Sequence, residues 1–426
     1  MELLKLDIQL GVASAATQIE GGNVAHTWSD WAQKGHIKDG ASPARADDHW
    51  KRFREDIDLM AELGIRVYRL SVEWARLEPL QGNYDETAAA RYRELLIYMR
   101  SKGIAPLLTI HHFTNPLWFE ALGGFAEPAN IPVFLTFVEF AVKRFGDLVS
   151  EYITINEPNV FAVSGYMDGS FPPGEHAIPR ALRVMSVMAA CHIKAYALIH
   201  KLRREAGFDG TKVGFAHHGR VFAPKSPKNL WHRLYTPLVA RMFQGAVARA
   251  FLLGKFGFPL RRYGGTKPGE YADFLGLNYY ARSAVSGFGD GVFDNAPKND
   301  LGWEIYPAGI AQCAKELYAL LPRPIYITEN GTCDNEDSFR CRYIYEHLKA
   351  LAESGLPVAR YCHWCFTDNF EWCEGESARF GIVRVDYETQ RRTVKRSGEF
   401  YAAMIAHQGV TDGMFAEYVA PQEYHR

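Results

Sequence analysis

Two glutamates each close a short run of β-branched and aromatic residues: Glu157 follows YITIN, and Glu329 follows IYIT. A carboxylate at a strand end is ordinarily a helix cap or a salt-bridge partner. Two of them facing each other over one pocket, with no metal-ligand pattern beside them, suit the cleavage of a glycosidic bond. That chemistry needs one carboxyl protonated, to give its proton to the leaving oxygen, and one ionised, to attack the sugar carbon. Other strand ends carry side chains that serve such a pair. Arg69 would keep a neighbouring carboxyl ionised, because a positive charge favours the anion. Asn156, immediately before Glu157, suits a sugar 2-hydroxyl. Gln18, His111 and Glu371 offer donors and acceptors for other hydroxyls, while Trp364 and Trp372 offer flat apolar faces.

These side chains act together only if the chain brings the strand ends to one place. One pattern recurs along it: an amphipathic helix ends at Gly, and an apolar run follows. ADDHWKRFREDIDLMAELG sets Trp50, Phe53, Ile57 and Met60 on one face; Gly64 supplies a left-handed cap, and IRVYRLS reads as a strand. The unit repeats through Tyr92, Leu95 and Met99 to Gly103, and again through PVFLTFVEFAVKRFG to Gly146. A long helix then ends near Gly207. Eight strands are predicted near residues 8–17, 66–71, 105–111, 152–156, 212–217, 273–278, 325–328 and 358–365. They are short and apolar on both faces, as strands covered on both sides should be. Helices between them imply parallel pairing by crossover connections.

The expected fold is therefore α/β: a single (β/α)8 TIM barrel spanning residues 1–426, with its chemistry at the C-terminal ends of the strands. An open doubly wound sheet competes, but no Gly-rich phosphate turn follows the first strand. Residues 218–272 and 284–307 read as irregular connections that build cleft walls.

Composition narrows the function classes. A net charge of -1 supplies no field to recruit nucleic acid or an anionic membrane. The N-terminus, MELLKLDIQLGVASAATQIEG, lacks a basic start followed by a long apolar run, so no signal peptide or membrane span is expected and the protein reads as cytoplasmic. Its 7 cysteines are an odd number, which fits a reducing compartment. Cys362 and Cys365 form a CxxC with no second pair, so they read as buried thiols. The histidines at 111, 112, 217 and 218 lack a carboxylate at ligand spacing. No metal and no cofactor is expected.

At these residues the sequence resembles glycoside hydrolase family 1, the β-glucosidase and β-galactosidase family. The resemblance runs through ATQIEGG, DDHWKRFREDIDLMAELGIRVYRLSVEW, TINEPN, DFLGLNYY, GWEIYP, YITENGT, DNFEWCEG and RFGIVRVDYETQRRTVK. It implies that Glu157 is the general acid/base and Glu329 the nucleophile of a double displacement, with the carboxyls about 5–5.5 Å apart. It also implies that Tyr280 bonds to the nucleophile and that Asn278 supports the acid/base. Gln18, His111, Asn156, Glu371 and Trp372 would hold the sugar, with Trp364 as floor. Phospho-glycosidases of this kind lack the Glu-Trp of DNFEW and carry a Lys and a Tyr near ARFG. Here Glu371 and Trp372 are present, and Ala378 and Phe380 occupy the phosphate-binding positions, so the substrate is expected to be an unphosphorylated β-glycoside or oligosaccharide. The family's usual His-Trp falls, on this alignment, at His111-His112. His217, His218 and Glu376 also depart from the pattern. A transglycosidase shares the same covalent intermediate and stays open, as does a non-catalytic sugar-binding relative, although such relatives usually lose one carboxylate. Oligomeric state is not readable.

Overall fold

The computed structural model describes residues 2–287 and 290–425. Eight strands run parallel and close on themselves: β1 (Gln9–Ala13), β2 (Val67–Ser71), β3 (Ala105–His111), β4 (Glu151–Asn156), β5 (Lys212–Pro224), β6 (Leu275–Val285), β7 (Ile325–Asn330) and β8 (Val358–Trp364). Each pairs with the next in sequence, and β8 pairs back with β1. This is the expected barrel.

The principal helices that wrap it are α1 (His49–Glu62), α2 (Glu86–Ser101), α3 (Ile131–Phe145), α4 (Pro158–Tyr166), α5 (Ile178–Glu205), α6 (Leu230–Ala240), α7 (Ala246–Leu253), α8 (Ala308–Leu320), α9 (Arg340–Ala352) and α10 (Arg396–His407). The sequence logic holds in α1, whose Phe53, Ile57 and Met60 are buried, and Gly64 takes φ +76 just beyond it. Helix α5 is long and apolar enough to cross a membrane by length and composition. Most of its apolar stretch is buried, against α3, α4 and α7.

The two connections read as irregular are more ordered than expected. Strands β5 and β6 continue past the barrel rim and stay paired as far as Pro224 and Val285. Helices α6 and α7 follow, joined by a π-helical turn at Arg241–Gly245. The polar and half-exposed residues of these extensions hide the strand signal, because a ribbon outside the barrel is no longer apolar on both faces.

Inside the barrel, Leu107, Ile153, Ala216, Phe274 and Tyr326 form a small apolar core, with the Phe274 and Tyr326 rings stacked at 4.3 Å. Thr109 of β3 stands above this plug and meets Arg69, the largest polar side chain at this level and fully buried.

Candidate active site

Arg69 sets the geometry of everything above it. Its guanidinium donates to Thr109 Oγ1 at 3.2 Å, the Thr328 carbonyl at 3.0 Å and Asn156 Oδ1 at 2.6 Å, and it forms an ion pair with Glu329. A buried guanidinium needs several acceptors, and three strands, β3, β4 and β7, supply them here. Asn278 continues the network. Its amide donates to Asn156 Oδ1 at 3.1 Å and to Glu157 Oε1 at 2.8 Å, while its own oxygen accepts from Thr328 Oγ1 at 2.6 Å. One hydrogen-bonded chain thus runs Glu329, Arg69, Asn156, Asn278, Glu157 across the barrel mouth.

Two irregularities aim the carboxyls. In β4 the register shifts between Ile153 and Asn156, and in β7 between Ile327 and Glu329. Each places an extra residue in the strand. Thr154 faces outward to His192 of α5 at 2.7 Å, whereas Asn156 turns inward. Thr328 and Glu329, neighbours in sequence, both reach the barrel interior. Bulges beside active sites re-aim side chains in this way. Glu157 then adopts a left-handed backbone, φ +42, and Pro158 opens α4 at its first position.

The two carboxyls differ in how their oxygens are held. In Glu329, Oε1 meets Arg69 and Oε2 accepts the Tyr280 hydroxyl at 2.6 Å, so both oxygens are solvated as in an anion. Burial pushes Tyr280 well above its ordinary range, which keeps it a donor. In Glu157, His218 Nδ1 at 2.9 Å and Asn278 Nδ2 both converge on Oε1. No described residue donates to Oε2, which leaves that oxygen free to carry a hydrogen. His218 Nε2 accepts from Arg220 Nε at 3.0 Å, which places the ring hydrogen on Nδ1, facing Glu157.

Burial drives the Glu329 carboxyl up to about 7; Arg69 opposes the rise, and the Glu157 charge adds to it. Burial also raises Glu157, but His218, Asn278 and Arg69 together hold it below its ordinary range. Carboxyls coupled this closely titrate as a pair. Up to about pH 7 the pair therefore holds one proton and one charge.

The pocket over this pair measures 230 Å³. His112, Trp364, Glu371 and Trp372 line it, as expected, with the His112 ring stacked 5.8 Å from Trp364 and 6.0 Å from Trp372. Asn156 Nδ2 lies 3.1 Å from His112 Nε2. Gln18 is fully buried: its amide donates to the Phe370 carbonyl at 2.9 Å and to Glu371 Oε2 at 3.2 Å, and its Oε1 has no partner.

Two expected site residues lie elsewhere. His111 does not reach the pocket. Alternation from Leu107 and Thr109 would turn it inward, but the pleat ends here and Phe113 takes φ +67. The His111 ring sits among Phe125, Phe134 and Phe161, with Nε2 2.9 Å from Asn115 Oδ1. Burial lowers its pKa to about 4, so it is a neutral core histidine. The pocket-facing pair is His112-Phe113, one residue later than the His-Trp alignment placed it. Phe380 is likewise buried behind the wall, edge-on to Tyr280 at 6.5 Å and tilted against Trp303 at 5.9 Å. Glu376 is occupied by an ion pair with Arg45, and His217 is buried and neutral, its pKa lowered by burial to about 3.

Sequence reasoning missed Phe113, Val160, Phe171, Arg220, Leu301 and Trp303 as pocket residues. Trp303 stands within GWEIYP, a motif quoted without assigning its indole. Among the described residues no cluster of His, Cys, Asp and Glu could hold a metal. Both CxxC thiols are buried, and burial pushes Cys362 up to about 12.

The family "Glycosyl hydrolase family 1" matches residues 2–410. Beta-glucosidase A of Thermotoga maritima is 33% identical, over 94% of this chain and 97% of its own. Among solved structures, a beta-glycosidase from Pyrococcus horikoshii superposes with a TM-score of 0.89 at 32% identity, covering 98% of each chain. A Thermotoga maritima beta-glucosidase in complex with glucoimidazole superposes with a TM-score of 0.86 at 29% identity, over 95% of this chain and 99% of that one.

Proposed function

Because the chain belongs to glycosyl hydrolase family 1, and is thus a β-glucosidase-like retaining glycosidase acting on O-glycosyl bonds, we propose that it hydrolyses unphosphorylated β-glycosides, with Glu157 as acid/base and Glu329 as nucleophile. The observation that carries the assignment is the unequal solvation of the two carboxyls. Glu329, held at both oxygens by Arg69 and Tyr280, attacks the anomeric carbon as the anion. Glu157 gives the hydrogen on Oε2 to the leaving oxygen, then takes a proton from the water that opens the glycosyl-enzyme. Two inversions return the original configuration.

The sugar sits against the wall that His112, Trp364 and Trp372 form together. The free Oε1 of Gln18 accepts a hydroxyl hydrogen, and Asn156 offers its amide to the 2-hydroxyl. Burial, then the Glu329 charge, raises Glu371 to about 8, so at neutral pH this carboxyl is largely protonated and acts by hydrogen bonding. The feature that supports an unphosphorylated substrate is the lack of a cation at that end. Arg220, the one Lys or Arg among the described lining residues, lies at the Glu157 end against His218. We expect kcat/KM on 4-nitrophenyl β-glucoside to exceed that on its 6-phosphate by at least about 100-fold, since an unpaired phosphate in an enclosed site loses several kcal/mol. A wild type inactive on every aryl β-glycoside, or one that prefers the phosphate, would sink the reading.

His218 is expected to position Glu157 and to set its titration. The alkaline limb of kcat/KM marks loss of the pair's last proton and should fall near pH 7. The His218 hydrogen bond favours the Glu157 anion, so removing it in His218→Phe must strengthen proton binding and move that limb to higher pH. A pH–rate profile checks this. A variant that is slower with the limb unmoved would show His218 to be packing alone.

A further inference from the structure

The wall beside Glu157 leads to a second cavity that the catalytic residues do not use. Val160, Ser164 and Arg220 line both spaces. Glu157, Val160 and Ser164 are spaced three and four apart at the start of α4, so one helix face runs from the acid/base carboxyl to the second cavity. This cavity measures 340 Å³, a size typical of small-molecule sites. Val163, Leu182, Phe222, Val239, Met242 and Phe243 are among the apolar residues of its wall. These six are only half-buried, unlike the fully buried core, so their apolar surface is presented to the cavity. Helix α6, which contributes Val239, buries none of its residues and leaves Leu230, Trp231 and Leu234 exposed at 61%, 64% and 55%. A cavity with a largely apolar lining of this size is the usual form of a small-molecule site.

Its position relative to the chemistry identifies the ligand. The oxygen that takes the Glu157 proton belongs to the leaving group, so the leaving group lies on the Glu157 side of the pocket. A sugar there would need hydroxyl partners along its length. The second cavity offers only Ser164, Asp168 and Arg220, and the Arg220 guanidinium is already engaged by His218 and stacks 5.3 Å over the Phe243 ring. We propose that this cavity receives the apolar chain of the aglycone, so that the preferred substrates are β-glycosides of long-chain alcohols rather than oligosaccharides. The inference rests on the reading of Glu157 as the acid/base.

The test is a chain-length series: methyl, butyl, hexyl and octyl β-glucoside, each below its micelle concentration, with cellobiose as the sugar aglycone. Each methylene that enters the cavity should raise kcat/KM by roughly three- to fourfold. Octyl β-glucoside should thus exceed methyl β-glucoside and cellobiose by well over 100-fold. Val239→Asn and Leu182→Gln, which touch neither carboxyl, should flatten that slope and leave methyl β-glucoside turnover within about twofold. A flat series in the wild type, a preference for cellobiose, or a slope that survives both variants would overturn the proposal. Calorimetric binding of methyl and octyl β-glucoside to Glu329→Gln separates this from failure of the catalytic reading. Tighter binding of the octyl compound, lost on adding Val239→Asn, supports the cavity even without turnover; equal binding overturns it.

Discussion

Glu329→Gln is expected to lower kcat on aryl β-glucosides by on the order of 10⁴-fold or more, with the fold intact. The substitution keeps the shape of the side chain and one carbonyl oxygen, but an amide does not attack an anomeric carbon. The remaining network stays in place. Arg69 retains Thr109, the Thr328 carbonyl and Asn156 as acceptors, and Tyr280 remains beside the substituted side chain. What the variant loses besides the nucleophile is the charge that balances a fully buried guanidinium. Removing one partner of a buried ion pair costs about 3–5 kcal/mol, so a lower Tm should accompany the loss of activity. Thermal melting and circular dichroism at assay temperature distinguish an inactive folded enzyme from an unfolded one. A folded variant that keeps more than about a hundredth of wild-type kcat would remove Glu329 from the reaction. In Glu329→Gly, where the side chain is removed and that face of the sugar is open, added azide should restore turnover and give the α-glycosyl azide.

Much of the fold was legible because closed parallel barrels write themselves plainly. Each strand is covered on both faces, so it reads as a short apolar run, and Gly64, Gly103 and Gly207 mark where helices stop. The strand ends were legible as chemistry because amides, carboxylates and indoles gathered there without a packing reason. What failed was the step from strand position to side-chain direction. Alternation assigns the inside of the barrel only while the pleat is regular, and the site lies where it is not. The bulges in β4 and β7 turn Asn156 and Glu329 inward, and the end of β3 turns His111 out and His112 in. A register shift leaves no mark in the type of residue that carries it. The second cavity was invisible for a related reason. Its wall is assembled from α4, α5, β5 and α6, residues 160–243, and no single segment carries a periodicity that reports the gap between them.

Glu157→Gln is expected to separate the two carboxyls by their dependence on the leaving group. On methyl β-glucoside, whose alkoxide leaves only when protonated, kcat/KM should fall by about 10³–10⁴-fold, the upper part of what a general acid contributes. On 2,4-dinitrophenyl β-glucoside, whose phenolate departs unaided, kcat/KM should stay within roughly tenfold of wild type. Turnover should nevertheless stall after one burst. The same Glu157 oxygen that gives up its hydrogen in the first step must take one from water in the second, and an amide accepts none. The hydrogen-bond pattern makes the substitution gentle. Asn278 and His218 both donate to Oε1, and a glutamine carbonyl placed there keeps both bonds, leaving its NH2 where the Oε2 hydrogen was. Azide needs no base, so it should clear the stalled glycosyl-enzyme and release the β-glycosyl azide, of configuration opposite to that formed by Glu329→Gly. Equal losses on the two glucosides, or the α-azide from this variant, would reverse the roles assigned to the pair. The contrast in configuration is decisive because it depends on which face of the sugar each carboxyl occupies, and the barrel fixes that by holding Glu157 on β4 and Glu329 on β7 across one pocket.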